Sequence, residues 1–346
     1  MPLDITGRYR YPDPDPCWLA LHTEEVLEPS LAIIDPHHHL WEEPGKHYLA
    51  KDLLEDVSSG HNVVATVFVQ CHYRYRDHGP LHLLPVGETE RVEALRRAFP
   101  REGNQPDICA GIVGFADLLA ARTLDEVLDA HLAVAPERFR GVRQSVARDS
   151  HFPDGIVLRP APAGMLLEPS FREGIRCLAR RGLSFDAMLY HEQIPELTAL
   201  ARTVEGATIV LDHIGCPLGV GIYADRPQET FEAWRRDIVE LAACPNVYLK
   251  FGGLGMVIVG ADYHLDKIPP TSQQLANDWR PYLEVCVSSF GTRRCMFESN
   301  FPVDKAMYSY RVLWNAFKRL IQGASAGEKA DLFARTAATV YRLDVR

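Results

Sequence analysis

Short apolar runs rich in β-branched and aromatic residues recur along this chain. They lie at LAIID (31–35), VVATVFVQ (63–70), ICAGIVGFA (108–116), FRGVRQSVA (139–147), LSFDAML (183–189), ATIVLDHIG (207–215), VYLKFGG (247–253) and RCMFESNF (294–301). Runs of this length and makeup suit strands buried on both faces. Between them the apolar positions shift to helical spacing, at 88–99, 123–133, 169–182, 228–243, 271–291, 308–323 and 326–343. In 88–99, Val92, Leu95 and Phe99 fall on one stripe. The segment 123–133 opens on Thr123 with Glu126 three residues later, a capping-box spacing. The segment 169–182 ends on Gly182, a usual helix stop.

Strand and helix alternating in this way predict an α/β fold with a parallel sheet. Eight such units suit a (β/α)8 TIM barrel with an N-terminal extension. A doubly wound sheet is the alternative, but it places a glycine-rich turn after its first strand, and here histidines follow instead. Residues 1–30 are rich in Pro, Asp and Tyr and read as an arm; residues 31–346 read as one barrel domain.

Composition adds exclusions. Apolar residues make up 47% and charged residues 24%, ordinary for a globular protein. A net charge of -9 argues against nucleic acid as a partner, because phosphate binding needs a basic surface. No apolar run approaches the roughly 20 residues that cross a bilayer, and the first residues carry no apolar signal core. The expectation is a cytoplasmic protein acting on a small molecule, with no membrane partner; a homo-oligomer is allowed. None of the eight cysteines forms a C-x-x-C pair, which predicts reduced thiols rather than a zinc knuckle.

In such a barrel the chemistry collects at the C-terminal strand ends. The first strand end offers Asp35, His37, His38 and His39, and the second Gln70 and His72. The fourth offers Arg143 and Gln144, the fifth Asp186 and then His191, and the sixth Asp212 and His213. The seventh carries Lys250, and the eighth Glu298, Ser299, Asn300 and then Asp304. Residues two apart on a strand share a face, so His37 and His39 point together while His38 turns to the helices. Two such imidazoles, with His213 across the barrel, can hold one divalent cation.

Asp35-Pro-His37-His-His39-Leu-Trp41 resembles the first-strand motif of the amidohydrolase superfamily, and its Leu-Trp ending resembles the lactonase branch. FVQ (68–70), GVRQ (141–144), LDHIGCP (211–217), VYLKFGGL (247–254), RCMFESNFPV (294–303) and ARTAATVYRL (334–343) follow in the order used there. The resemblance implies a barrel that opens a lactone or related ester with water. It implies His37, His39 and His213 as catalytic residues and as ligands of one zinc or manganese ion. One position departs from the pattern. The eighth-strand motif of that branch reads Gly-Ser-Asp-Trp-Pro, and here Asn300 replaces the Asp. Neutral Asn is neither a base nor a good ligand, which keeps a metal-free alternative open.

Glu298, two residues before Asn300, is the expected substitute base, its pKa raised by burial; Asp304 is the other candidate. Asn300 is expected to donate to an oxyanion and Arg143 to anchor a carboxylate. Gln70, Gln144, Trp41, His72 and Lys250 are expected around the substrate. His78, His82 and His191 read as loop residues. The expected reaction is hydrolysis of a sugar-acid or aromatic lactone. The alternatives are a metal-dependent decarboxylase and a barrel that binds ligand without turnover.

Overall fold

A computed structural model describes residues 11–43, 46–99, 103, 105–152, 157 and 159–344. Its main sheet has eight parallel strands: β1 (Ala32–His38), then β4 (Asn62–Val69), β5 (Asp107–Gly114) and β6 (Phe139–Ser145), followed by β7 (Ser184–Met188), β8 (Thr208–Leu211), β9 (Val247–Phe251) and β10 (Cys295–Phe297), paired in that order. A small hairpin, β2 (Trp41–Glu43) and β3 (Lys46–Tyr48), stands after the first strand. The ends of the sheet meet: His38 bridges Phe301, Asn300 N donates to the His37 carbonyl at 2.9 Å, and Ser299 N donates to Asp35 Oδ1 at 3.0 Å. The result is a (β/α)8 barrel.

The helices are α1 (Pro16–Leu19), α2 (Ala50–Val57), α3 (Val86–Ala98), α4 (Leu124–Val134), α5 (Pro169–Arg180) and α6 (Ile194–Thr203). They continue with α7 (Pro227–Ala242), α8 (Ser272–Phe290), α9 (Tyr310–Leu320), α10 (Ala326–Ala330) and α11 (Thr336–Tyr341). Three of these, α1 within the arm, α2 and α6, fall in stretches the apolar spacing leaves unassigned. The closing segment read as one helix is interrupted by a π-helical turn, Asp331–Arg335. Among the described residues no helix is long and apolar enough to cross a membrane.

Alternation sorts the strand side chains into two cores. Ile33, Phe68, Val142, Phe185, Leu249 and Phe297 pack outward against the helices. Ile34, Val67, Val69, Val210 and Met296 pack inside the barrel with Val340 and Tyr341 of α11, which plugs the lower end. Interdigitated layers of this kind make the barrel interior solid rather than a pore. The arm is clasped from outside. Glu24 accepts from Ser272 N at 2.7 Å and from Asn315 Nδ2 at 3.0 Å, and Lys318 Nζ donates to the Leu27 carbonyl at 2.6 Å.

Candidate active site

Two strand ends bend to aim their side chains. β8 stops at Leu211, short of the run that predicted it, because His213 and Ile214 take left-handed backbone with φ of 53° and 49°. For a β-branched residue that conformation costs on the order of 1–3 kcal/mol. It turns His213 over the barrel mouth. β10 stops at Phe297, and Asn300 beyond it has φ of 54°, a region Asn tolerates. The glycines after β9 permit close approach: a Cβ on Gly252 would collide with Glu298, and one on Gly253 would lie 2.6 Å from the His213 ring.

His37, His39 and His213 form one buried cluster, with His37 ring centroids 4.9 Å from His39 and 4.6 Å from His213. Each ring is held from behind through Nδ1. That of His39 donates to the Val69 carbonyl at 2.8 Å, and that of His213 donates to Glu298 Oε1 at 2.7 Å. That of His37 faces Lys250 Nζ at 3.2 Å and Glu298 Oε2 at 2.9 Å. A carbonyl and a carboxylate only accept, so His39 and His213 carry their protons on Nδ1, whereas His37 Nδ1 stands between an ammonium and a carboxylate. The Nε2 of His37 lies 3.3 Å from His39 Nε2. Burial holds both His37 and His39 well below the ordinary histidine range, so both are neutral. Burial also opposes protonation of His213, but the Glu298 carboxylate outweighs it and the net shift is upward.

Glu298 departs from expectation in one respect. Burial does push its pKa up, but His213 and His37 outweigh burial and hold it at about 2. It is an ionised strut between two imidazoles, and so strong an acid is a weak base at neutral pH.

Below this lies a charged floor. Lys250 Nζ sits 2.8 Å from Asp186 Oδ2 and 3.0 Å from Asp212 Oδ1. Ser184 Oγ and Tyr341 OH donate to Asp186 at 2.8 and 2.6 Å. Lys250 is therefore a buried structural cation that backs His37 rather than a pocket-wall residue.

The remaining candidates scatter. Arg143 points inward, its Nη2 on the Gln70 carbonyl, and its buried Nε has no partner among the described residues. Gln70 Oε1 is likewise unpartnered. Gln144, next on the strand, faces outward by alternation; it accepts from Leu118 N at 2.9 Å and donates to Asp117 at 3.4 Å. Trp41 pairs with Tyr48 in the hairpin. His72 meets Arg159 Nη1 at 2.8 Å and the rings of Tyr75 and Phe115 at 5.2 and 5.9 Å. Asp304, fully buried, accepts from Asn300 Nδ2 at 2.9 Å, Tyr308 OH at 2.7 Å and Gly255 N at 3.0 Å. Burial raises its pKa to about 6.

For a metal the structure groups His37 and His213 with Asp212 rather than with His39: the three offer ligand atoms within 4.8 Å of one another. Sequence gives Asp212 no role as a ligand, although it stands directly before His213. Its Oδ1 meets the Lys250 ammonium at 3.0 Å, while its Oδ2 is buried without a hydrogen bond among the described residues, which leaves one carboxylate oxygen for a further cation. These residues fit a divalent ion.

Comparison with known proteins places similar chains beside this one. Residues 34–343 match the family model described as amidohydrolase. The chain is 35% identical over 337 residues to the uncharacterized protein y4mH of Sinorhizobium fredii, covering 90% of this chain and 99% of that one. It is 25% identical over 326 residues to an L-fucono-1,5-lactonase of Burkholderia multivorans, covering 90% and 96%. A crystal structure of an amidohydrolase from Burkholderia multivorans with bound zinc superposes with a TM-score of 0.69 at 23% identity, covering 90% of this chain and all of that one.

Proposed function

The chain belongs to the amidohydrolase family, and from that premise we propose that it opens a small lactone or related cyclic ester by attack of water at the barrel mouth. The observation that carries this reading is the buried cluster of three imidazoles, in which His39 and His213 are fixed through Nδ1. The similarity to an L-fucono-1,5-lactonase supports the choice of ester.

His39 donates its Nδ1–H to the Val69 carbonyl, so its Nε2 carries the lone pair, which takes the proton of the attacking water in place of its 3.3 Å contact with His37 Nε2. His213, backed by ionised Glu298, presents a positive ring to the developing oxyanion and returns a proton to the leaving alkoxide. Fixed charge aimed at an oxyanion is the strongest aid such a site offers. Arg143, with its Nε unpartnered, anchors a carboxylate on the substrate. A divalent ion on His37, His213 and Asp212 would require a neutral His213, and would supply Lewis-acid polarisation of the carbonyl in place of that ring's charge.

The test is a panel of sugar-acid and aromatic lactones, followed by NMR at neutral pH, with zinc and manganese content measured on the same samples. His39→Ala and His213→Asn are each expected to lower kcat/KM by ~10²- to 10⁴-fold. Carbon dioxide release from an aromatic acid, with every lactone left intact, would replace this reading with the decarboxylase.

A further inference from the structure

Asn300 is a carboxamide where the related motif carries a carboxylate, and its surroundings fix which way round the amide sits. Asp304 accepts from Asn300 Nδ2 through Oδ1, and its Oδ2 is taken by Tyr308 OH and Gly255 N. An ionised carboxylate has no proton to give, so only the NH2 end of Asn300 can face it. The backbone holds the residue against the histidine strand: Asn300 N donates to the His37 carbonyl, and His39 N donates to the Phe301 carbonyl at 2.7 Å. Gly255 is the residue that lets the loop after β9 close on this group, since a Cβ there would lie 2.6 Å from Tyr308 OH.

We propose that Asp304 is a positioning residue that locks the Asn300 carboxamide with Oδ1 turned to the reaction centre, where it accepts a hydrogen bond from the attacking water. This rests on the hydrolytic reading above. The carboxylate that the motif otherwise presents directly is set one step back, and the amide relays its orientation without its charge. Asn300 thereby becomes an acceptor toward the water rather than the oxyanion donor that sequence suggested.

Exchanging the two side chains tests this. In Asp304→Asn the new amide must spend its one oxygen on Tyr308 OH and Gly255 N, so its NH2 opposes that of Asn300. Asn300 then flips and presents a donor to the water. kcat is expected to fall on the order of 100-fold, as for a misplaced reactant, with KM within about threefold and thermal stability near the parent. In the double variant Asn300→Asp with Asp304→Asn, the carboxylate introduced at position 300 accepts from the new NH2 and keeps an oxygen toward the water, so most of kcat returns. A purely structural role would lower stability along with activity and would show no recovery on exchange.

An unchanged kcat in Asp304→Asn, or a double variant as inactive as the single one, overturns the proposal. The hold itself is read without turnover, from the side-chain amide signal of Asn300 in protein labelled with ¹⁵N-asparagine and assigned through Asn300→Asp. Slow hydrogen exchange that is lost in Asp304→Asn supports the lock, and exchange as fast as at a surface asparagine refutes it. Should the parent enzyme open no lactone, the hydrolytic reading fails while this signal still decides whether Asp304 holds the amide.

Discussion

Lys250 is fully buried and touches Asp186, Asp212 and His37. Burial disfavours its charge, yet the two aspartates outweigh that and raise its pKa. Lys250→Met leaves both carboxylates without their cation, and breaking a buried pair in this way costs about 3–5 kcal/mol. Urea unfolding is expected to show that loss; a cost under ~1 kcal/mol would mean the floor is not held by this charge. At this scale sequence spoke clearly where alternation governs. The shared face of His37 and His39 followed from their spacing, and so did the outward turn of His38, whose Nε2 meets Thr66 Oγ1 at 2.9 Å. The same rule, applied to Arg143 and Gln144, would have separated them. The direction of the Glu298 shift was not legible, because it depends on two histidines brought from other strands.

Among the elements, the loop after β9 shows how local backbone sets the chemistry. Gly253 has φ of 66° and lies against the His213 ring. Gly253→Ala therefore adds both left-handed strain and a clash, together about 1–3 kcal/mol. The expected result is a lower melting temperature and a kcat reduced more than KM changes, since His213 is displaced. Full kcat in this variant would show that the ring is positioned by Glu298 alone. Strand and helix alternation located all eight barrel strands, but not where β8 and β10 stop. Those ends are set by left-handed residues at 213, 214 and 300, which no apolar pattern announces. Helix α6 escaped notice because it is short, with ten residues between two strands.

Over the whole molecule, the barrel was readable and the arm's attachment was not, because Glu24, Ser272 and Asn315 meet only in the folded chain. Burial opposes ionisation of Glu24, but hydrogen bonds from Ser272, His22 and Asn315 outweigh it and hold its pKa at about 2. A depressed carboxylate stabilises the fold above its ordinary value of 4.5 and loses that contribution as pH falls toward about 2. Melting temperature measured across this window should therefore fall less steeply in Glu24→Gln than in the parent. Parallel curves would show that the clasp does not depend on its charge.

Tyr341 closes α11, the last helix of the described residues, and its hydroxyl completes the hydrogen bonding of Asp186 beneath the histidines. During synthesis that residue emerges only after all eight barrel strands. Until then Lys250, Asp186 and Asp212 are already made but lack the helix that seals them from below. The nascent barrel thus waits with an open, charged base, and loss of α11 reaches the centre of the molecule.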